Sequence, residues 1–337
     1  MCQKERPRDN LDGCDIIVTY HDRWEVSIMR KSKRKIGILI LVFCFVFLFA
    51  FRYVSFFDDA VVGAYFHSDL ELEIHVIDVG QAEAFLLVQG KHAMLIDTGD
   101  MFDGERVVTY LKSVGINRLD MLVLTHFHVD HLGGAHKVIS SVRVERIMCM
   151  DWKYISTLQE AFWFADMQVS RITNSVLHAR RISVVSPYEK NGVLKSFEFG
   201  DAHVEVLSQE THANIVNNKS LVMKVTFGDV SALFTGDSQG EVESYLLEAE
   251  MDISADILKV GHHGSKTSTG MDFLEAVNPR YALISCGEDN DYGHPNSFVM
   301  KKLEKKNVSV FRTDTDGSIV VTTDGTKEGI EITTKGK

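Results

Sequence analysis

The chain has 337 residues, 45% hydrophobic content and four prolines, with no biased tract. That composition argues against long disorder and supports a sizeable core, and no internal repeat with a solenoid-like period is present. A net charge of −11 disfavours a nucleic-acid partner, although bound cations would add local positive charge.

Residues 1–35 are polar and end in a basic cluster, Arg30, Lys31, Lys33, Arg34 and Lys35. They read as a short cytoplasmic tail. An uncharged run follows from Ile36 to Phe51, and counted past Arg52 to Phe57 it approaches the roughly 20 residues that span a bilayer. No polar face appears over four turns, which argues against a buried core helix. The long preceding tail, and the lack of a small-x-small cleavage site, favour an uncleaved anchor over a signal peptide. Residues 36–57 are therefore expected to be one transmembrane helix. The basic flank places the N-terminus in the cytoplasm and everything after Phe57 outside the cell membrane.

A globular domain is expected over 70–335. Leu72–Ile77, Ala84–Val88 and Ala93–Ile96 read as strands, with turns at Asp78–Glu83 and Asp97–Asp100. Glu105–Val114 has helical spacing, with Val107, Val108, Leu111 and Val114 on one face. Met121–Leu124 is a short apolar strand. It delivers Thr125-His126-Phe127-His128-Val129-Asp130-His131-Leu132-Gly133-Gly134. His126 and His128, two apart in an extended loop, point the same way, and Asp130 and His131 follow after a turn. Imidazole with carboxylate suits zinc or a similar metal. One metal needs three or four protein ligands, so this run starts two sites and completes neither.

A helix from Gly134 to Val142 and a strand from Glu145 to Met150 come next. Residues 151–200 are less regular, and Trp152, Phe162, Trp163 and Phe164 read as core aromatics. Val204–Leu207, Leu221–Thr226 and Ser231–Phe234 are strands, the last running into Thr235-Gly236-Asp237. Gln239–Glu248 is helical. Asp256–Val260 is a strand ending in Gly261-His262-His263-Gly264. Tyr281–Ser285 is another strand, followed by Tyr292-Gly293-His294-Pro295. A helix at Ser297–Lys305 and strands at Val308–Phe311 and Ser318–Thr322 close the domain. Strands and helices alternate, so the class is α/β. Cys149 and Cys286 lie in separate apolar runs and are expected to be buried free thiols. Asp237 and the His262–His263 pair supply enough further ligands for a two-metal centre.

Several stretches in order resemble the metallo-β-lactamase-fold hydrolases, and more narrowly the ComEC-like domains of DNA-uptake proteins. They are Ile77-Asp78-Val79-Gly80-Gln81, Leu95-Ile96-Asp97-Thr98-Gly99, the His126–His131 run, Asn217-Asn218-Lys219-Ser220, Thr235-Gly236-Asp237, Lys259-Val260-Gly261-His262-His263-Gly264-Ser265 and Tyr292–Pro295. The resemblance implies an αββα sandwich with two divalent ions, zinc or alternatively manganese, at one edge. It implies that His126 and His128 bind the first metal. Asp130 and His131 bind the second with one of His262 and His263, preferably His263. Asp237 bridges the two, and Asp97 fixes the ligand loop. Asn217 and Asn218 stand where many members carry another first-metal histidine, and His212 lies nearby as a substitute. His294 is either a proton donor or substrate contact, or part of a structural turn. Gln81-Ala82-Glu83 departs from the usual Gln-Gly-Asp.

The expected activity is metal-dependent hydrolysis. A water activated on the metals is oriented by Asp130 and attacks a phosphodiester in a small molecule, a wall polymer or a nucleic acid. The rivals are a nuclease partner in DNA uptake and a surface binding module whose metals are only structural. No channel segment accompanies the domain in this sequence, which argues against DNA transport by this chain alone.

Overall fold

The computed structural model describes residues 67–149, 173–176, 178–189, 193, 195–207 and 215–336. The expected tail, the expected membrane helix over 36–57, the aromatics at 152–164 and His212 all lie outside the described residues. Among the described residues, no helix is long and apolar enough to cross a membrane. The architecture below is that of the unit Tyr65–Lys337.

Two sheets face each other. The first is built from β1 (Leu72–Val76), β2 (Phe85–Gln89), β3 (His92–Ile96), β5 (Met121–Val123), β7 (Arg146–Met148), β8 (Ser183–Val185), β16 (Ile319–Thr323) and β17 (Glu331–Thr334). Its strand order is β17-β16-β1-β2-β3-β5-β7-β8. The second sheet contains β9 (Ser196–Phe199), β10 (Ala202–Val206), β11 (Met223–Phe227), β12 (Val230–Phe234), β13 (Ile257–Lys259), β14 (Tyr281–Ile284) and β15 (Ser309–Arg312). Its order is the exact reverse of the chain, β15 to β9. A two-stranded pair, β4 (Arg118–Leu119) with β6 (Arg143–Val144), stands apart.

The period-2 alternation of strands explains the layering. Phe85, Leu87, Met94, Ile96, Met121 and Val123 face inward between the sheets, where they meet Met223, Val225, Phe234 and Ile257. Phe85 and Phe234 join the two sheets edge to face, with ring centroids 5.6 Å apart. The alternate residues Leu86, Val88, Leu95 and Leu122 face outward under the helices Gly104–Ser113 and Ala135–Ser141. On the far side Leu233, Leu258, Ala282 and Ile284 face outward under the helices Gly240–Glu248, Met271–Val277 and Ser297–Lys305. The result is the expected αββα sandwich.

β3, β5 and β7 run parallel, and so do β12, β13, β14 and β15. Parallel strands end on the same edge, where α/β folds commonly place ligands. The chain therefore collects the ends of β3, β5, β12, β13 and β14 in one region.

A polar clasp fixes the start of the described chain. Glu73 Oε1 meets His67 Nδ1 at 2.7 Å, and its Oε2 meets His75 Nε2 at 3.0 Å. The other ring nitrogens reach Val114 O and the Tyr110 hydroxyl at the end of the first long helix. Burial pushes the Glu73 carboxyl up, but the bonds from His67 and His75 outweigh it and hold it at about 2 against an ordinary 4.5. A depressed carboxylate stabilises the fold above its unfolded pKa, and that contribution fades as pH falls through the folded value. The stability difference between wild type and Glu73→Gln is therefore expected to be largest above pH 4.5 and to shrink toward pH 2. Thermal unfolding of both proteins across that range tests this. A difference that does not narrow in acid would contradict it.

Candidate metal centre

Asp97 organises the centre from below. It follows β3 and holds a left-handed backbone conformation, φ 60°, which a non-glycine residue adopts at a cost. Its carboxylate accepts the Thr125 N–H at 2.8 Å and the Thr125 hydroxyl at 2.6 Å, and it faces His131 Nδ1 at 2.7 Å. One buried side chain thus engages both ends of the Thr125–His131 loop. Gly134 lets that loop close down on the Asp97 turn, because a Cβ there would lie 2.3 Å from Thr98 O.

The remaining groups arrive from the second sheet. Asp237 follows β12, its backbone N–H bonded to the Ser220 hydroxyl at 3.0 Å. His262 and His263 follow β13, both left-handed with φ of 49° and 52°. Three imidazole nitrogens surround one Asp237 oxygen. His131 Nε2 lies 3.3 Å from Oδ2, and His262 Nε2 and His263 Nε2 each lie 3.6 Å from it. Asp130 Oδ2 is 3.4 Å from His263 Nε2 and 4.0 Å from His131 Nε2. His126 Nε2 and His128 Nδ1 approach to 3.0 Å beside this group. His126, His128, Asp130, His131, Asp237, His262 and His263 are therefore in one cluster, while His212 lies outside the described residues.

Sequence reading missed two members. Glu83, in the turn after β1, is 1% exposed, and Lys259 of β13 is equally buried. The Lys259 ammonium pairs with Glu83 Oε2, donates to Gly236 O, and lies 3.6 Å from Asp237 Oδ1. Glu83, His131, Asp237 and His263 offer ligand atoms within 4.8 Å of one another. The signal for Lys259 was present, since a lysine between Leu258 and Val260 in a buried strand requires an anionic partner.

The electrostatics fit a cation. His131 Nε2, His263 Nε2 and Asp237 Oδ1 are buried without a well-directed hydrogen bond, which is rare for native polar atoms unless something else satisfies them. Burial lowers the His131 pKa, yet Asp237, Asp97 and Asp130 outweigh it and raise the group well above its usual value. His263 is raised in the same way, burial being outweighed by Asp237 and Asp130. The carboxylates thus gather positive charge into this pocket, as protons or as a divalent ion. His126 moves the other way: burial and the neighbouring His131 and His128 keep it well below its usual value. Neutral imidazole is the metal-binding form.

A cleft of about 380 Å³ opens onto these groups, lined by Gln81, Asp100, His128, Asp130, Asn217 and His294 among others. The His294 ring stacks on His263 at 6.3 Å and on the exposed Tyr292 at 5.6 Å. Its Nδ1 lies 3.3 Å from the Gln81 amide nitrogen, whose amide oxygen accepts the Gly287 N–H. Gln81 therefore donates to Nδ1 and leaves the imidazole proton on Nε2. Burial, with the charges on His263 and His262, lowers His294 to about 4. At neutral pH it is a neutral imidazole lining the cleft. Cys149 and Cys286 are buried and neither is in a disulfide, as expected.

A family model described as the metallo-beta-lactamase superfamily matches residues 77–288. The chain is 33% identical over 270 residues to ComE operon protein 3 of Bacillus subtilis (strain 168), covering 74% of this chain and 33% of that protein. It is 29% identical over 255 residues to competence protein ComA of Neisseria gonorrhoeae, covering 74% and 32%. This chain spans about a third of the length of these curated relatives. Among solved structures, the metallo-beta-lactamase fold protein YhfI from Bacillus subtilis aligns over 72% of this chain and 95% of its own. The identity is 14% and the TM-score 0.47.

Proposed function

The chain belongs to the metallo-β-lactamase superfamily, and on that footing we propose that it is a two-cation hydrolase of phosphodiesters, anchored in the cell membrane by residues 36–57 with its hydrolase domain, 70–335, outside. The observation that carries the hydrolytic reading is the pair of buried ring nitrogens, His131 Nε2 and His263 Nε2, both turned to Asp237 Oδ2 with no well-directed hydrogen bond. Asp130, His131, His263 and Asp237 would hold one divalent ion, zinc or manganese. His126 and His128 would begin the other site, that of the first metal, which shares Asp237. Bound cations supply Lewis acidity there, lowering the pKa of a water from about 15.7 toward about 7 and neutralising charge on a substrate oxygen.

The protein's own groups do the rest. Asp130 is held at about 2, because His131 and His263 outweigh the effect of burial. It is an anion at neutral pH, with its side chain 30% exposed to the cleft, and it would accept a hydrogen bond from a water and so orient it. His294 offers its Nε2–H to a non-bridging or leaving oxygen. The cleft volume suits a phosphodiester head with short substituents.

The purified full chain loaded with zinc or manganese is expected to hydrolyse bis(p-nitrophenyl) phosphate. A chelator should abolish turnover, and Asp130→Ala should lower it by about 10² or more. Cation binding with no turnover, unaffected by Asp130→Ala, would instead favour the non-catalytic binding module. The names of the competence relatives favour a second reading, a nuclease acting in DNA uptake. DNA binding that weakens steeply with salt would support it. The membrane arrangement rests on the apolar run and its basic N-terminal flank. Protease added to intact cells is expected to digest the domain and spare residues 1–35. Protection of the domain would overturn that orientation.

A further inference from the structure

His126 and His128 converge on one point, and with a shared carboxylate they make three protein ligands, where a four-coordinate site has room for one more. Asn217 stands where the resemblance leads one to expect the missing imidazole. Its buried side-chain amide nitrogen instead lies 3.4 Å from His262 Nε2 and 3.5 Å from His262 Nδ1, flat against the ring.

His262 is set up as a ligand in the same manner as its neighbours. In each imidazole that faces this centre through Nε2, Nδ1 is already engaged. Thr125 Oγ1 is 3.1 Å from that of His126, and Asp97 Oδ2 is 2.7 Å from that of His131. Ser285 O is 2.9 Å from that of His263. Thr267 Oγ1, 3.2 Å away, does the same for His262. An outer partner on one ring nitrogen fixes the tautomer and aims the other at a metal. His262 Nε2 sits as far from Asp237 Oδ2 as His263 Nε2 does, 3.6 Å in both cases. Adjacent residues in an extended chain point to opposite sides. Here two successive left-handed residues, φ 49° and 52°, turn both rings to the same carboxylate.

We infer that His262 replaces the absent histidine and completes the first cation site with His126, His128 and Asp237, while His263 serves the second. This rests on the two-cation reading above. It assigns the two neighbouring histidines to different ions, and it gives Asn217 the task of backing the ring it has displaced.

Cobalt(II) titration of the metal-free full chain, followed by visible absorption and equilibrium dialysis, tests it. Wild type is expected to bind two equivalents and His262→Ala one. His262→Ala combined with Asn217→His should regain the second, since an imidazole returns from the residue packed against the His262 ring. Two equivalents of undiminished affinity in His262→Ala would overturn the inference. So would one equivalent in both wild type and His262→Ala, an outcome that leaves the hydrolase reading standing. No binding by wild type would overturn the hydrolase reading itself. An independent measurement avoids substitution altogether. In the wild-type chain loaded with NMR-active cadmium and labelled histidine, scalar coupling from the metal to His262 Nε2 is expected beside those to His126 and His128. Couplings to those two without one to His262 would overturn the assignment.

Discussion

Asp237→Asn is expected to lower kcat/KM on a phosphodiester by at least about 10³-fold, the scale on which loss of a fixed charge-stabilising group acts. Asparagine keeps the shape and removes the charge. Three ring nitrogens lie 3.3–3.6 Å from Asp237 Oδ2. The carboxylate is held well below its ordinary pKa, burial being outweighed by His131 and His263. Its loss removes the main counter-charge for both imidazoles and for any divalent ion between them. Far-ultraviolet circular dichroism should be unchanged, while bound metal and turnover fall together. Activity within tenfold of wild type would contradict a shared carboxylate at this position.

The second large effect falls on stability. Lys259 and Glu83 form an ion pair with both side chains at most 2% exposed. Burial pushes the Lys259 pKa down, but Glu83 and Asp237 outweigh it and keep the ammonium charged. Removing one partner of a buried pair strands the other, at a cost of about 3–5 kcal/mol. Lys259→Met is therefore expected to lower the denaturation midpoint by an amount equivalent to roughly 10 °C in Tm for a domain of this size. Replacing both partners, Lys259→Met with Glu83→Leu, should recover most of that loss, because apolar replacements of buried pairs are often neutral. Activity should not recover with the fold. The Lys259 ammonium lies 3.6 Å from Asp237 Oδ1, while the imidazoles face Oδ2. Recovery of both stability and turnover in the double variant would show that the pair does not position Asp237.

Much of this centre was legible from residue types at strand ends. The His126–His131 run, Asp237 and His262–His263 each close an apolar strand, and parallel pairing brings those ends to one edge. What linear spacing left open was the face each side chain takes. Two adjacent histidines in an ordinary strand-end loop would diverge, and only their left-handed backbone brings both inward. Glu83 read as one more polar turn residue, because nothing local signals that its partner is Lys259, 176 positions away. The helix Met271–Val277 and the strands β9 and β17 also went unread. β17 is an edge strand with three of its four residues exposed, so the inward–outward alternation that marks a strand is weak there; β9 alternates, Ser196 and Glu198 exposed against Phe197 and Phe199, but over four residues only. The short helix Val129–Leu132 was hidden inside the ligand run itself.

The most direct test is anomalous diffraction from crystals of the protein grown with zinc, recorded on both sides of the zinc absorption edge. Two peaks are expected at bonding distance, about 2.0–2.2 Å. One would lie among Asp130, His131, His263 and Asp237, and the other against His126 and His128 with Asp237 between them. Peaks only at exposed surface histidines, with Asp237 bonded to none, would contradict a cation centre built from these strand ends.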